Sequence, residues 1–144
     1  MPRIAEVLRR LGSHRALVVH ARDGLDEISI GASTLVAELR GEKITEYEID
    51  PAEFGIDRTP ASVLKVGNAT ESLARIRDVF AGQQGPARQI VALNAGAALY
   101  VCDLVPDIRA GYARAQEILD TGAARDCFER YVSFTRQFGA PTAA

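Results

Sequence analysis

No apolar run in the 144 residues approaches the length that crosses a bilayer, about 20 residues, and cysteine is confined to Cys102 and Cys127. The two cysteines lie far apart, in helical patterns. They fit neither a zinc spacing nor a disulfide framework and read as reduced, partly buried thiols packed as small apolar residues. An excess of positive charge is also lacking. Seventeen Lys and Arg against nineteen Asp and Glu give a net charge of -2, which argues against the electrostatic footprint of a general nucleic-acid binder. There is no internal repeat and no low-complexity segment. The opening Met1-Pro2-Arg3-Ile4-Ala5-Glu6 carries an acid and lacks the apolar core of a signal peptide, so a cytoplasmic location and no membrane partner are expected. Glycine-rich loops that cradle phosphate at a helix start are missing as well. Val66-Gly67-Asn68-Ala69, with one Gly before a helix, is a weak phosphate candidate and reads first as a helix entry.

What is present is ordinary globular material, 47% apolar and 25% charged, enough for one domain with a core. The stretch Arg15 to Ile30 organises it. Ala16 to Val19 is a short apolar run rich in β-branched residues, too short for a stand-alone helix. Asp23-Gly24 is a turn pair. Asp26 and Glu27 follow, and Ile28 and Ile30 alternate with Ser29 as a second strand would. Three carboxylates within five residues at the end of an apolar strand suit a hard cation. Mg²⁺ takes oxygen ligands, commonly one or two carboxylates plus substrate phosphates. The alternative is a solvated acidic turn. Neighbours in a regular strand point to opposite faces, so Asp26 and Glu27 can share an ion only where the backbone bends. His20, at the mouth of the turn, reads as hydrogen-bonded scaffold before acid or base, although histidine as a residue type keeps it a candidate.

Ile4, Val7, Leu8 and Leu11 recur at helical spacing, and Gly12 stops that helix. Thr34 to Leu39 and Ile44 to Ile49 read as a hairpin turning at Arg40-Gly41-Glu42-Lys43. Asp50-Pro51 starts a helix that Gly55 ends after one turn. Helical patterns follow from Pro60. Asn68 or Thr70 caps the segment 71–81, with its stripe of Leu73, Ile76, Val79 and Phe80. Ile90 to Cys102 is apolar on every side and is expected to be buried on every side. Pro106 opens another helix, Thr121-Gly122 interrupts it, and a last helix carries Cys127, Phe128, Tyr131, Val132 and Phe134. The fold expected is α/β: a partial mixed or antiparallel sheet of the first strand, Asp26 to Ile30 and the hairpin, covered by helices. Residues 1–138 form one domain and 139–144 a tail.

Several of these stretches resemble anthranilate phosphoribosyltransferase. Val18-Val19-His20-Ala21-Arg22-Asp23-Gly24-Leu25-Asp26-Glu27-Ile28-Ser29 is similar to that family's metal-binding segment, with Ala21 where the family usually has Gly. Leu64-Lys65-Val66-Gly67-Asn68-Ala69-Thr70-Glu71-Ser72 is similar to Leu-x-Gly-Gly-Asp/Asn-Ala-x-Glu-Asn, with Val66 replacing a Gly and Ser72 the Asn. Gly85 to Ala95 and Ala115 to Ala124 also follow the family pattern. Agreement runs in order through nearly the whole chain.

The resemblance implies transfer of phosphoribosyl from phosphoribosyl pyrophosphate to anthranilate in tryptophan biosynthesis. Asp26 and Glu27 would carry Mg²⁺ on the pyrophosphate, and Asp23 and His20 would support the turn. It also implies a C-terminal part of the domain. The family's Gly-Thr-Gly-Gly-Asp loop, its Lys-His-Gly-Asn-Arg segment and the Arg that recognises anthranilate lie upstream of the matching region. No substrate-binding residue and no general base is therefore assigned here, and the isolated chain is expected to be inactive. Two other readings stay open. One is a non-catalytic interaction or regulatory module descended from the enzyme, pairing through an exposed sheet edge or as a homodimer. The other is a fragment like the pyrimidine nucleoside phosphorylases, against which the Asp-Gly-Leu-Asp-Glu run argues.

Overall fold

A computed structural model describes residues 1–139; the tail expected over 139–144 lies, from residue 140 on, outside the described residues. Helix α1 (Pro2–Arg10) leads to strand β1 (Arg15–Ala21), and the hairpin β2 (Thr34–Arg40) and β3 (Lys43–Ile49) completes the sheet. Four helices follow: α2 (Ala69–Phe80), α3 (Pro86–Val101), α4 (Ile108–Asp120) and α5 (Ala123–Thr135). The α/β class is as expected. The sheet is antiparallel throughout, in the order β1-β2-β3, with no parallel pair to make it mixed.

Asp26 to Ile30 is not a strand, and its hydrogen bonds give the reason. The Ile28 N–H and C=O both bond to the Asn94 side chain, the Ser29 N–H donates to Thr34 Oγ1, and the Ile30 carbonyl accepts from the Thr59 N–H. With these four backbone groups committed to side chains and a neighbouring loop, no ladder forms through the middle of the segment. Ile28, Ser29 and Ile30 are nevertheless fully buried. They plug the space between the sheet and α3, in a core with Val36, Ile49, Ile56 and Leu93.

Local signals act as read in the turns. Gly12 takes φ 85° past the end of α1, and Asp50 and Glu53 form a reciprocal capping box on the 3-10 turn Pro51–Phe54, which Gly55 ends. Asn68 caps α2 through the Glu71 N–H. Pro60 does not open a long helix; Ala61–Leu64 is a single 3-10 turn.

In α1 Ala5 is buried, while Ile4, Val7 and Leu11 of the apolar stripe are exposed. On the polar side of the helix Arg9 pairs with Glu6 of the same helix and with the exposed Glu42 in the turn between β2 and β3. Helix α3 is central but not buried all round, because Val91, Ala95 and Ala98 are exposed. Cys102 and Cys127 are both exposed. Cys102 ends α3. Cys127 is one position, about 100° of helix, away from Phe128, whose ring packs on Phe80 at 5.2 Å.

Helices α3 and α4 cross backbone to backbone. A Cβ on Gly96 would lie 2.4 Å from the Tyr112 nitrogen, and one on Gly111 would lie 2.2 Å from the Gly96 carbonyl oxygen. No rotamer change relieves an overlap with main chain, so the helices would have to separate. Gly111→Ala is therefore expected to destabilise the fold by about 3 kcal/mol, read as a lower urea midpoint. An unchanged midpoint would contradict the crossing.

Candidate functional site

The loop of residues 22–33 carries the acidic cluster from the end of β1 back to β2. The Ala21 N–H donates to the Leu25 carbonyl at 3.0 Å and the Arg22 N–H to the Ser33 carbonyl at 2.9 Å, closing the loop at its base. Asp23 then ties its middle. Its carboxylate accepts the Ser29 hydroxyl hydrogen bond at 2.6 Å, and the same Ser29 oxygen accepts from the Gly31 N–H at 2.9 Å. Gly31 is required by space. A Cβ there would lie 2.7 Å from the Thr59 carbonyl oxygen and 3.0 Å from an Asp23 oxygen.

Asn94 is the residue that sequence reading missed. It lies in the apolar run of α3, read there only as part of a buried helix. Its Oδ1 accepts from the Ile28 N–H at 2.9 Å, and its Nδ2 donates to the Ile28 carbonyl at 2.9 Å and to the Ile90 carbonyl at 3.0 Å. A carboxamide matches a peptide unit donor for acceptor, so it can serve as a one-residue strand partner. The signal was present: a lone amide in thirteen otherwise apolar or small residues has to find partners when it packs.

Asp26 and Glu27 stand just before this anchor, exposed, where the backbone bends. The bend removes the strand alternation that would turn them to opposite faces. Among the described residues neither carboxylate has a hydrogen-bond or ion-pair partner. Both are hard oxygen donors open to solvent, a donor set that fits Mg²⁺ when phosphate oxygens and water complete the shell. Asp23 does not join them in a ready-made cage: among the described residues no group of three His, Cys, Asp or Glu side chains is arranged to hold a metal. His20 is exposed near the end of β1, opposite Leu35.

Glu27 also borders a cleft of about 590 Å³ between the loop, α2 and α3. Leu64, Ile76, Val79 and Ile90 make it apolar, and Ser72 and Arg75 add polar groups. At the start of α2 the Glu71 carboxylate accepts from the Gly67 N–H at 2.7 Å and the Asn68 Nδ2 at 2.9 Å.

Residues 1–125 match the profile described as "Glycosyl transferase family, a/b domain". The chain belongs to this glycosyl transferase family. An anthranilate phosphoribosyltransferase of Alkalilimnicola ehrlichii is 56% identical over 134 residues, which is 93% of this chain and 40% of that relative. The crystal structure of anthranilate phosphoribosyltransferase from Thermus thermophilus superposes with a TM-score of 0.82 at 40% identity, over 92% of this chain and 39% of that one. The Saccharomyces cerevisiae anthranilate phosphoribosyltransferase in complex with PRPP and Mg has the same fold, with a TM-score of 0.81 at 18% identity over 92% of this chain and 38% of that one. The chain thus spans about two fifths of the length of the glycosyl transferases it matches. Among the described residues no helix is long and apolar enough to cross a membrane.

Asn94→Leu keeps the volume but leaves the buried Ile28 peptide without partners. It is expected to cost about 3 kcal/mol, whereas Asp26→Asn, an exposed change, shifts the urea midpoint little. Equal effects of the two substitutions would refute the anchoring role of Asn94.

Proposed function

We propose that residues 1–138 form the metal-holding part of an anthranilate phosphoribosyltransferase acting in the cytoplasm in tryptophan biosynthesis. The observation that carries this reading is the pair of unpartnered carboxylates, Asp26 and Glu27, on a loop that Asp23 and Asn94 hold in place. In this reaction the anthranilate amine replaces pyrophosphate at the ribose C1, and negative charge collects on the departing group. Asp26 and Glu27 would hold Mg²⁺, which when bound neutralises pyrophosphate charge. Asp23 keeps the turn closed through Ser29, and Asn94 keeps Ile28, one residue after Glu27, fixed to the core. Those two contacts mean the carboxylates need little reordering to meet their ligand. His20 supports the turn at the end of β1.

The remaining part of the active site belongs to the share of the relatives' length that this chain does not match. We assign its docking place to the outer edge of β1 and the groove of about 430 Å³ beside α3, lined by Leu17, Val19, Ala97, Ala98 and Val101. The outer edge of β1 has no strand against it among the described residues, and an open edge beside an apolar groove favours strand addition. By itself the chain is inactive in this reading.

The test supplies the missing part. The purified chain is mixed with the complementary portion of the Alkalilimnicola ehrlichii relative, and consumption of anthranilate is followed by fluorescence with PRPP and Mg²⁺. Neither piece alone should act, and the mixture should. Asp26→Asn and Glu27→Gln should each lower the rate on the order of 100-fold. Transfer by the chain alone, or a reconstituted rate indifferent to both carboxylates, would overturn the proposal.

A further inference from the structure

Helix α3 carries one charged residue, Arg88, and that one is buried. Its outer face is nevertheless in solvent. Val91, Ala95, Ala98 and Cys102 are all exposed. At i, i+4, i+7 and i+11 they form one line along the helix, about 16 Å long. A surface helix turns a polar or charged face to water, and one that is apolar all round belongs in a core. Helix α2 of the same chain follows that rule, with Glu71, Arg75, Arg77 and Asp78 in solvent. The exposed face of α3 has no charge to show.

This face has an apolar groove at each end. At Val91 it meets the cleft of about 590 Å³ that Ile76, Val79 and Ile90 share with Glu27. At Ala98 and Cys102 it meets the groove of about 430 Å³ beside the open edge of β1. Uncovered apolar surface therefore follows α3 from the β1 edge to the border of the acidic loop.

We infer that a helix of the complementary part of the glycosyl transferase covers this face, lying along α3 from Cys102 to Val91. The inference rests on the function proposed above and carries its docking place from the β1 edge up to Glu27. The chain accounts for only 40% of the length of the Alkalilimnicola ehrlichii relative, and α3 lies inside the region that matches the family. Most of the longer protein is thus available to cover it. A strand added to β1 would extend the sheet beneath the groove. The layer on that side of the sheet is helical, so the space above such a strand is the space beside α3. Ala95 and Ala98 leave room there for a second helix axis at the usual spacing of about 8–10 Å.

The chain is coexpressed with a tagged complementary portion of the Alkalilimnicola ehrlichii relative, as wild type, Ala95→Arg, Val91→Arg and Ala95→Ser, and the chain retained by the tag is measured. Arginine suits an exposed helix position, so the urea midpoints of the variants alone should match that of the wild type. In the complex each arginine would bury a charge without a partner, and retention should fall about tenfold or more. Ala95→Ser should be retained like the wild type. Alkylation of Cys102 should be slower by about tenfold or more in the wild-type complex than in the free chain. Retention indifferent to both arginines, or Cys102 alkylated as fast in the complex as alone, would overturn the inference and leave the metal-holding function standing. A wild type that is not retained would remove both. Sedimentation of the chain alone tests the other occupant. A dimer that Ala95→Arg turns into a monomer would give this face to a second copy and overturn the inference as well.

Discussion

Two hydrogen bonds from one carboxamide join the acidic loop to helix α3. Asn94 gives Ile28 the donor and acceptor that a neighbouring strand would otherwise supply, and it takes the Ile90 carbonyl of its own helix in the same grip. Without it, a buried peptide between sheet and helix would lose its partners, at a cost that outweighs most single contacts. With it, the segment after Glu27 is as much part of the core as Leu93. The geometry of the acidic loop thus depends on the position of α3, and α3 is set in turn by its glycine crossing with α4.

That dependence separates two kinds of order in the loop. Ile28, Ser29 and Ile30 are fully buried, while Asp23, Asp26 and Glu27 are exposed a few residues earlier. Buried apolar side chains fix the backbone, and the carboxylates of Asp26 and Glu27 ride on it in solvent, charged and without partners of their own. Burying them would have raised the cost of keeping them ionised. Leaving them exposed on a tied backbone gives a charged pair that is placed without being neutralised. The turn around them is closed at its base by backbone hydrogen bonds and tied across its middle by the Asp23 and Ser29 side chains.

Much of this was legible in the residues, and the rest failed for identifiable reasons. Turn and cap chemistry is local, so Gly12, Asp50-Pro51 and Gly55 could be read directly, and Asn68 as one of two caps for α2. The hairpin followed from two extended segments on either side of Arg40-Gly41-Glu42-Lys43. Asp26 to Ile30 misled because Ile28-Ser29-Ile30 alternates like a strand, yet alternation reports burial of every second side chain and says nothing of where the backbone bonds go. Here they go to Asn94 and Thr34, and no periodicity reveals a partner 66 residues away. Helix α3 misled in the other direction: its apolar surface exceeds what α4, the sheet and the loop can cover, so Val91, Ala95 and Ala98 are left in solvent. The acidic cluster itself was visible as composition. What fixes its shape was not, because Asn94 and Gly31 owe their roles to space and to long-range contact.

Hydrogen exchange at the Ile28 amide tests the central claim most directly, since it reads the Asn94 bond in the unaltered protein. The account predicts protection comparable to that of the Leu93 amide in the middle of α3, with opening that requires the helix to move. Exchange as fast as at the neighbouring Glu27 amide would contradict it. The carboxylates would then sit on an ordinary surface loop.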